Sequence, residues 1–263
     1  MLRSLTAGLL LFLLAVVAFA QAPAAPAPAK NPASAQDAVL PTVEQVLAHY
    51  TRALGGEQAL KKLNSRVMKG TFEIQSQNIS GSAELDMQAP DHFYSLVSIP
   101  GNGEHILTFD GKQAWSFDPQ SGLREITGRE LAELRRSSQF LYESRLRSLF
   151  AQVRVVEKTA EGDRPAWVLQ ATPEEGQPEL FFFDAQSGLL VRHDSTQTTP
   201  DGDVPIEHRY LNYIGVDGVQ VPTLLRHRDP GIEWQVKFSE IRHNVAIDSA
   251  KFAKPAVPSA APQ

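Results

Sequence analysis

Two hundred and sixty-three residues with no cysteine and a formal charge of −5 exclude a disulfide framework, a thiolate metal centre, covalent haem attachment, a catalytic thiol and a lipid-modified cysteine. The excess of acid over base argues against nucleic-acid binding, which needs concentrated Lys and Arg. Hydrophobic residues make up 42% of the chain, but part of that share belongs to its two ends.

The chain opens with Arg3, an unbroken apolar run over 9–17, and Ala18-Phe19-Ala20 before Gln21. This is the pattern of a secretory signal with its cleavage site. The apolar stretch 5–20 falls short of the roughly 20 residues that span a membrane. Cleavage is therefore expected rather than anchoring, which places the chain in a bacterial periplasm and, with Arg3 removed, brings its charge to −6. Residues 21–41, with eight Ala and five Pro, have little to bury and predict a semi-rigid, disordered linker. The tail 255–263 has the same composition. One domain, 42–254, remains.

Thr42 as N-cap, with Gln45 three residues on, predicts a helix carrying Val43, Val46, Leu47 and Tyr50 on its inner side. Gly55-Gly56 ends it, and a second short helix is predicted over 57–63. From Arg66 the apolar period changes from 3.6 to 2. Phe72 and Ile74 alternate with polar neighbours, as do Ala83, Leu85 and Met87, and then Phe93, Ser95, Val97 and Ile99. Strands 106–110 and 113–118 flank Asp110-Gly111, the signal of a two-residue hairpin. Segment 128–150 returns to helical spacing, with Leu131, Leu134, Leu141, Leu146 and Leu149 on one side and Arg135, Arg136, Arg145 and Arg147 on the other. One long helix and two shorter ones broken near Ser137-Ser138 fit equally well. Strands resume over 153–158, 166–171, 179–184, 188–196, 204–214, 219–228 and 232–241, joined by Gly-, Pro- and Asp-rich turns.

The fold class expected is α+β: a large curved antiparallel sheet of about eleven strands forming an open, half-closed β-barrel, with N-terminal helices and a mid-chain helical lid. Such a sheet must cover its apolar concave side, and it can enclose a ligand cavity or be filled solid. The candidate lining residues are Phe72, Ile74, Leu85, Met87, Trp115, Phe117, Trp234 and Phe238, with Leu134, Arg135, Arg136, Leu141 and Arg145 on the lid.

Reactive motifs are missing: no GxSxG, SxxK, HExxH or Walker A pattern occurs. Seven histidines are scattered, and His193, His208 and His227 could align across the late hairpins. They are read as polar strand residues rather than metal ligands, because neighbours such as His193-Asp194 point to opposite faces of a strand. No metal, cofactor or catalytic residue is expected.

Three stretches, TVEQVLAHYTRALGGEQALKKLNSRVMKGTFE (42–73), FFFDAQSGLLVRHDSTQTTPDGDVPIEHRYLNYIGVDGVQVP (181–222) and IRHNVAIDSAKFAKP (241–255), resemble the LolA/LolB-type lipoprotein-carrier superfamily, in particular exported bacterial members described as outer-membrane lipoprotein-sorting-like. The resemblance implies an unclosed barrel with a helical lid and an apolar interior that takes up acyl chains. It implies a soluble, non-catalytic, monomeric periplasmic protein whose partner is a lipid or lipoprotein acyl chain. The chain departs from lipid-anchored relatives in having no Cys at the cleavage site. No single residue matches the shuttle member's functional lid arginine, so that role is not assigned among Arg135, Arg136 and Arg145. Two rivals are an envelope protein-interaction or sensor module and a metal-assisted hydrolase built on the late histidines. The second requires His193, His208 and His227 to converge on one open position.

Overall fold

The computed structural model describes residues 40–256. The leader, most of the linker and the end of the tail expected from the sequence lie outside the described residues. Helix α1 (Val43–Ala53) begins with a reciprocal capping box: the Gln45 amide donates to Thr42 Oγ1 at 3.2 Å, and the Thr42 amide donates to Gln45 Oε1 at 2.8 Å. Its buried residues, Val43, Val46, Leu47 and Tyr50, recur at helical spacing. The chain turns at Gly55, whose φ of +121° suits glycine and whose missing Cβ would lie 2.2 Å from the Gly218 carbonyl oxygen. Helix α2 (Glu57–Leu60) is a single turn, shorter than the expected 57–63, because beyond Lys61 the bonds tighten to three-residue spacing, with the Lys62 amide donating to Ala59 and the Leu63 amide to Leu60.

Thirteen strands follow: β1 (Ser65–Ile74), β2 (Ile79–Gln88), β3 (His92–Ile99), β4 (Gly103–Phe109), β5 (Ala114–Asp118), β6 (Gly122–Ile126), β7 (Gln152–Glu161), β8 (Arg164–Thr172), β9 (Glu179–Asp184), β10 (Leu190–Thr199), β11 (Gly202–Val216), β12 (Val219–Arg228) and β13 (Glu233–His243). Of the two helices between β6 and β7, α3 spans Gly128–Ser137 and α4 Leu146–Leu149, with a 3₁₀ turn at Tyr142–Ser144 between them. The mid-chain segment is thus two short helices, broken just after Ser137. The expectation of about eleven strands is corrected to thirteen. Edge strand β6 does not alternate, because its two large apolar residues, Leu123 and Ile126, are three apart and so have opposite parity.

All thirteen strands belong to one antiparallel sheet in the order β6-β5-β4-β3-β2-β1-β13-β12-β11-β10-β9-β8-β7. Every consecutive pair of strands except β6 and β7 is hydrogen-bonded, and β1 pairs with β13, which joins the two ends of the run of strands. The free edges are β6 and β7, which are neighbours in sequence. The α3–α4 segment connects them, so it lies on the side where a barrel would close. Among the described residues no helix is long and apolar enough to cross a membrane.

The helices pack on one face of the sheet, the inner face. Helices α1 and α4 with the 3₁₀ turn bury Tyr50, Leu54, Tyr142 and Leu146 against Met68, Leu169, Phe181, Phe183, Leu190 and Val221. Leu131 and Leu134 of α3 pack on Phe109, Ala114 and Ile126. On the outer face, the C-terminal segment lies across β2–β5. Phe252 is buried beside the His92 ring, and Lys251 Nζ donates to Glu84 at 2.6 Å and Asp86 at 2.8 Å.

Candidate functional site

Between the patch covered by α1 and α4 and the patch covered by α3, the inner face is hollow. One cavity of about 390 Å³ lies under α3 and a second of about 140 Å³ lies under the 3₁₀ turn. They adjoin, with Leu85, Met87, Tyr142, Glu143, Tyr210 and Leu225 as common walls. The larger is further lined by Phe93, Leu107, Ile126, Leu134 and Ile206, and the smaller by Met68, Leu141, Tyr213, Val221 and Phe238. Apolar walls with a few convergent polar groups are the usual make-up of a small-molecule site.

Glu179 supplies the polar end of the larger cavity. Its carboxylate accepts from Arg136 Nη2 of α3 at 2.8 Å, from the Tyr142 hydroxyl at 2.7 Å and from His193 Nε2 at 2.8 Å. Burial pushes this carboxyl up, but the bonds from His193 and Tyr142 and the charge of Arg136 outweigh it and hold the group below the usual glutamate value. Arg136 also lies over the Phe150 ring at 5.1 Å. The lid is therefore fastened to the sheet through a buried ion pair. Two further side chains hold α3: Glu133 accepts from the Thr198 amide at 2.9 Å and from its hydroxyl at 2.6 Å, and Arg129 pairs with Asp203.

A row of imidazoles crosses the inner face. Strand register places His193 opposite His208 and His208 opposite His227. His208 Nε2 lies 3.0 Å from His227 Nδ1, His227 Nε2 lies 3.1 Å from Asp229 Oδ2, and the His227 ring stacks on Trp234 at 4.5 Å. Asp229 accepts a hydrogen bond from His227 Nε2–H, which leaves Nδ1 to accept from His208 Nε2–H. Burial first, then the neighbouring His227 and His193, drive the His208 pKa well below its ordinary value. The three histidines thus stand in a line across three strands, with 6.4 Å between the His193 and His208 rings, and do not surround one point. Among the described residues no group of three or more His, Asp or Glu is placed to hold a metal ion.

The residues singled out from the sequence fall into three groups. Leu85, Met87 and Phe238 line the cavities, together with Leu134, Arg136 and Leu141 of the lid segment. Phe72, Ile74 and Trp234 sit elsewhere. Phe72 and Ile74 are fully buried in a solid cluster with Ala83, Ile99 and Val236, against which Trp234 packs. That cluster fills the far end of the β1 face instead of lining the hollow. Trp115 and Phe117 point to the outer face, where Lys254 Nζ lies 4.4 Å from the Trp115 ring. Arg135 and Arg145 are exposed, and Arg145 Nη1 donates to Gln139 at 2.9 Å.

Arg66, Glu179 and Tyr210 did not stand out in the sequence, although a signal existed. Arg66 shares the parity of Met68, Phe72 and Ile74, and Glu179 that of Phe181 and Phe183. A charge on the apolar parity of a strand marks an interior polar group.

No protein-family model and no curated protein sequence matches the chain. Solved structures do. A LolA superfamily protein from Nitrosomonas europaea is 13% identical with a TM-score of 0.54, over 81% of this chain and 98% of that one. A DUF1329 family protein from Desulfovibrio piger is 13% identical with a TM-score of 0.52, over 80% of this chain and 97% of that one. In fold, as an unclosed antiparallel half-barrel covered by a mid-chain helical segment, this chain is like the LolA superfamily.

Proposed function

We propose that the protein is a soluble, non-catalytic periplasmic carrier or binding protein for a lipid or lipoprotein acyl chain. The observation that carries this reading is the hollow inner face: adjoining cavities of about 390 and 140 Å³ with Leu, Met, Phe and Tyr walls, beneath a lid held by polar bonds. An acyl chain in water costs about 0.8 kcal/mol per exposed CH₂, so crossing an aqueous compartment calls for such a sleeve. Leu85, Met87, Phe238, Tyr210 and Leu225 form the acyl-lining surface, and Leu134, Arg136 and Leu141 the lid side. A non-catalytic role is supported by the saturation of Glu179, a buried acid on the wall of the larger cavity, by Arg136, Tyr142 and His193.

Native mass spectrometry of protein recovered from a periplasmic extract tests the reading. The expected result is a mature chain beginning at Gln21 that carries a lipid-sized adduct, removable by organic extraction. A chain that never carries lipid, and whose unfolding midpoint does not respond to added amphiphile, would overturn it.

A further inference from the structure

Five arginines are half-buried among the described residues, and four of them have a carboxylate partner: Arg124 with Glu130, Arg136 with Glu179, Arg192 with Asp194 and Glu161, and Arg209 with Glu207 and Glu161. Arg66 is the fifth. It sits in the middle of the sheet, opposite Met87 on β2 and His243 on β13, and it lines the smaller cavity. No carboxylate lies in ion-pair range of it among the described residues. Its Nε–H donates to His243 Nε2 at 3.0 Å, and its terminal nitrogens make no hydrogen bond within the described residues.

The single hydrogen bond it does make goes to a neutral acceptor. His243 Nδ1 lies 3.2 Å from Asp217 Oδ2, so the ring proton sits on Nδ1 and Nε2 is free to accept from Arg66. Burial, and then the Arg66 charge, lower the His243 pKa and keep it in that form. The guanidinium is thus oriented by its Nε edge without being neutralised. Burial also lowers the pKa of Arg66 itself, opposed by the charge of Glu143. Glu143, on the 3₁₀ turn of the lid, lines the same cavity beyond ion-pair range.

Two hydroxyls complete the picture. Tyr50 and Tyr210 line the same cavity, and neither hydroxyl has a hydrogen-bond partner among the described residues. Burial raises both pKa values well above the usual phenol range, so both groups remain O–H donors. Even half-buried, a cation without a counter-ion loses hydration that nothing in the fold replaces. A planar guanidinium with free terminal N–H groups is also the shape that takes an anionic carboxylate or phosphate in two parallel bonds. The common walls Leu85, Met87 and Leu225 lead directly from this point into the larger apolar cavity.

We infer that Arg66, with the Tyr50 and Tyr210 hydroxyls, binds the anionic head, a carboxylate or phosphate, of an acyl amphiphile whose chain lies in the larger cavity. This rests on the carrier reading and adds to it that the cargo is an anion. Glu143 repels the same head from the lid, so it weakens binding while the lid is down.

Calorimetric titration of the purified protein with oleate, oleyl alcohol and inorganic phosphate, the amphiphiles kept below their aggregation concentrations, tests it. Oleate is expected to bind about tenfold or more tighter than oleyl alcohol, as charge-assisted bonds in a buried site require. Phosphate alone is expected not to bind measurably. In Arg66→Met the advantage of oleate disappears while oleyl alcohol binds as before, and Glu143→Gln binds oleate more tightly. If Arg66→Met unfolds, the oleate-to-alcohol ratio of the unmodified protein and the Glu143→Gln result decide. Equal affinity for oleate and oleyl alcohol, or a ratio unchanged in a folded Arg66→Met, overturns the anionic head group and leaves the carrier reading intact. Phosphate binding as tightly as oleate reassigns the site to a free anion and likewise overturns it. Failure of both amphiphiles to bind removes the carrier reading itself.

Discussion

His208 is buried between two other imidazoles, and its neutral form is the one that fits. Its Nε2 hydrogen-bonds to His227, and His193 and Trp234 flank it on either side. Its pKa in the folded chain lies well below the ordinary 6.5, while the unfolded chain titrates near that value. Below pH 6.5 the unfolded state therefore takes up a proton that the folded state refuses. The stability contributed by neutral His208 is complete above pH 6.5 and is lost as the pH falls toward the folded value. His105 and His243, also lowered chiefly by burial, act in the same direction. Urea unfolding at pH 7.5 and pH 5 should show a clear loss of stability on acidification, and His208→Gln should lose less but not become pH-independent. Equal losses in the two proteins would show that His208 is not a principal source. Glu179 belongs to a lower window: its folded pKa is held below 4.5, so its contribution persists until the pH falls through the carboxylate range.

The helices differ in how they are held. Helix α1 is anchored by four buried side chains and a complete capping box, whereas α3 has no fully buried residue. Leu131 and Leu134 contribute partial burial, and the rest of its attachment is polar, through Glu133 to Thr198, Arg129 to Asp203 and Arg136 to Glu179. An element held mainly by exchangeable polar bonds opens at lower cost than one held by apolar burial. Thr198→Val removes the hydroxyl that Glu133 and Arg129 both use and leaves the backbone bond in place. Amide exchange in α3 should accelerate about tenfold for the loss of such bonds, with α1 unaffected. Uniform acceleration in both helices would show instead that the substitution destabilises the whole domain.

At the scale of the molecule, the hollow exists because β6 and β7 do not pair. Thirteen strands curve without closing, and the four short helices are too few to fill the face they cover. Leu85 stands on the wall between the two cavities, so Leu85→Trp should occupy the shared space. Acyl binding should fall about tenfold or more, while stability stays within about 1 kcal/mol because the added ring enters existing space. Loss of stability by several kcal/mol with binding intact would mean that the space is not the binding volume.

Alternation, capping and turn chemistry were enough to announce α1, most of the strands, the antiparallel meander and the helical segment between its two halves, because each is a local pattern. Three things were not legible. Alternation sorts Trp115 and Phe117 onto one face but does not say which face is inner, and the C-terminal segment, with Lys254 over Trp115, takes the outer one. Parity places Phe72 and Ile74 on the inner face yet says nothing of depth along the strand, and they belong to its solid end. That His193, His208 and His227 could align was readable from the late hairpins, but whether they converge on one point or stand in a row depends on the pairing of β10 with β11 and of β11 with β12, which spacing within one strand does not encode. The sequence alone determined most of the elements and their order, since these depend on residues near one another in the chain. Only the tertiary structure decided where the sheet stays hollow and which half-buried cation, Arg66, is left without a counter-ion among the described residues, because both depend on which side chains from distant strands arrive at the same place.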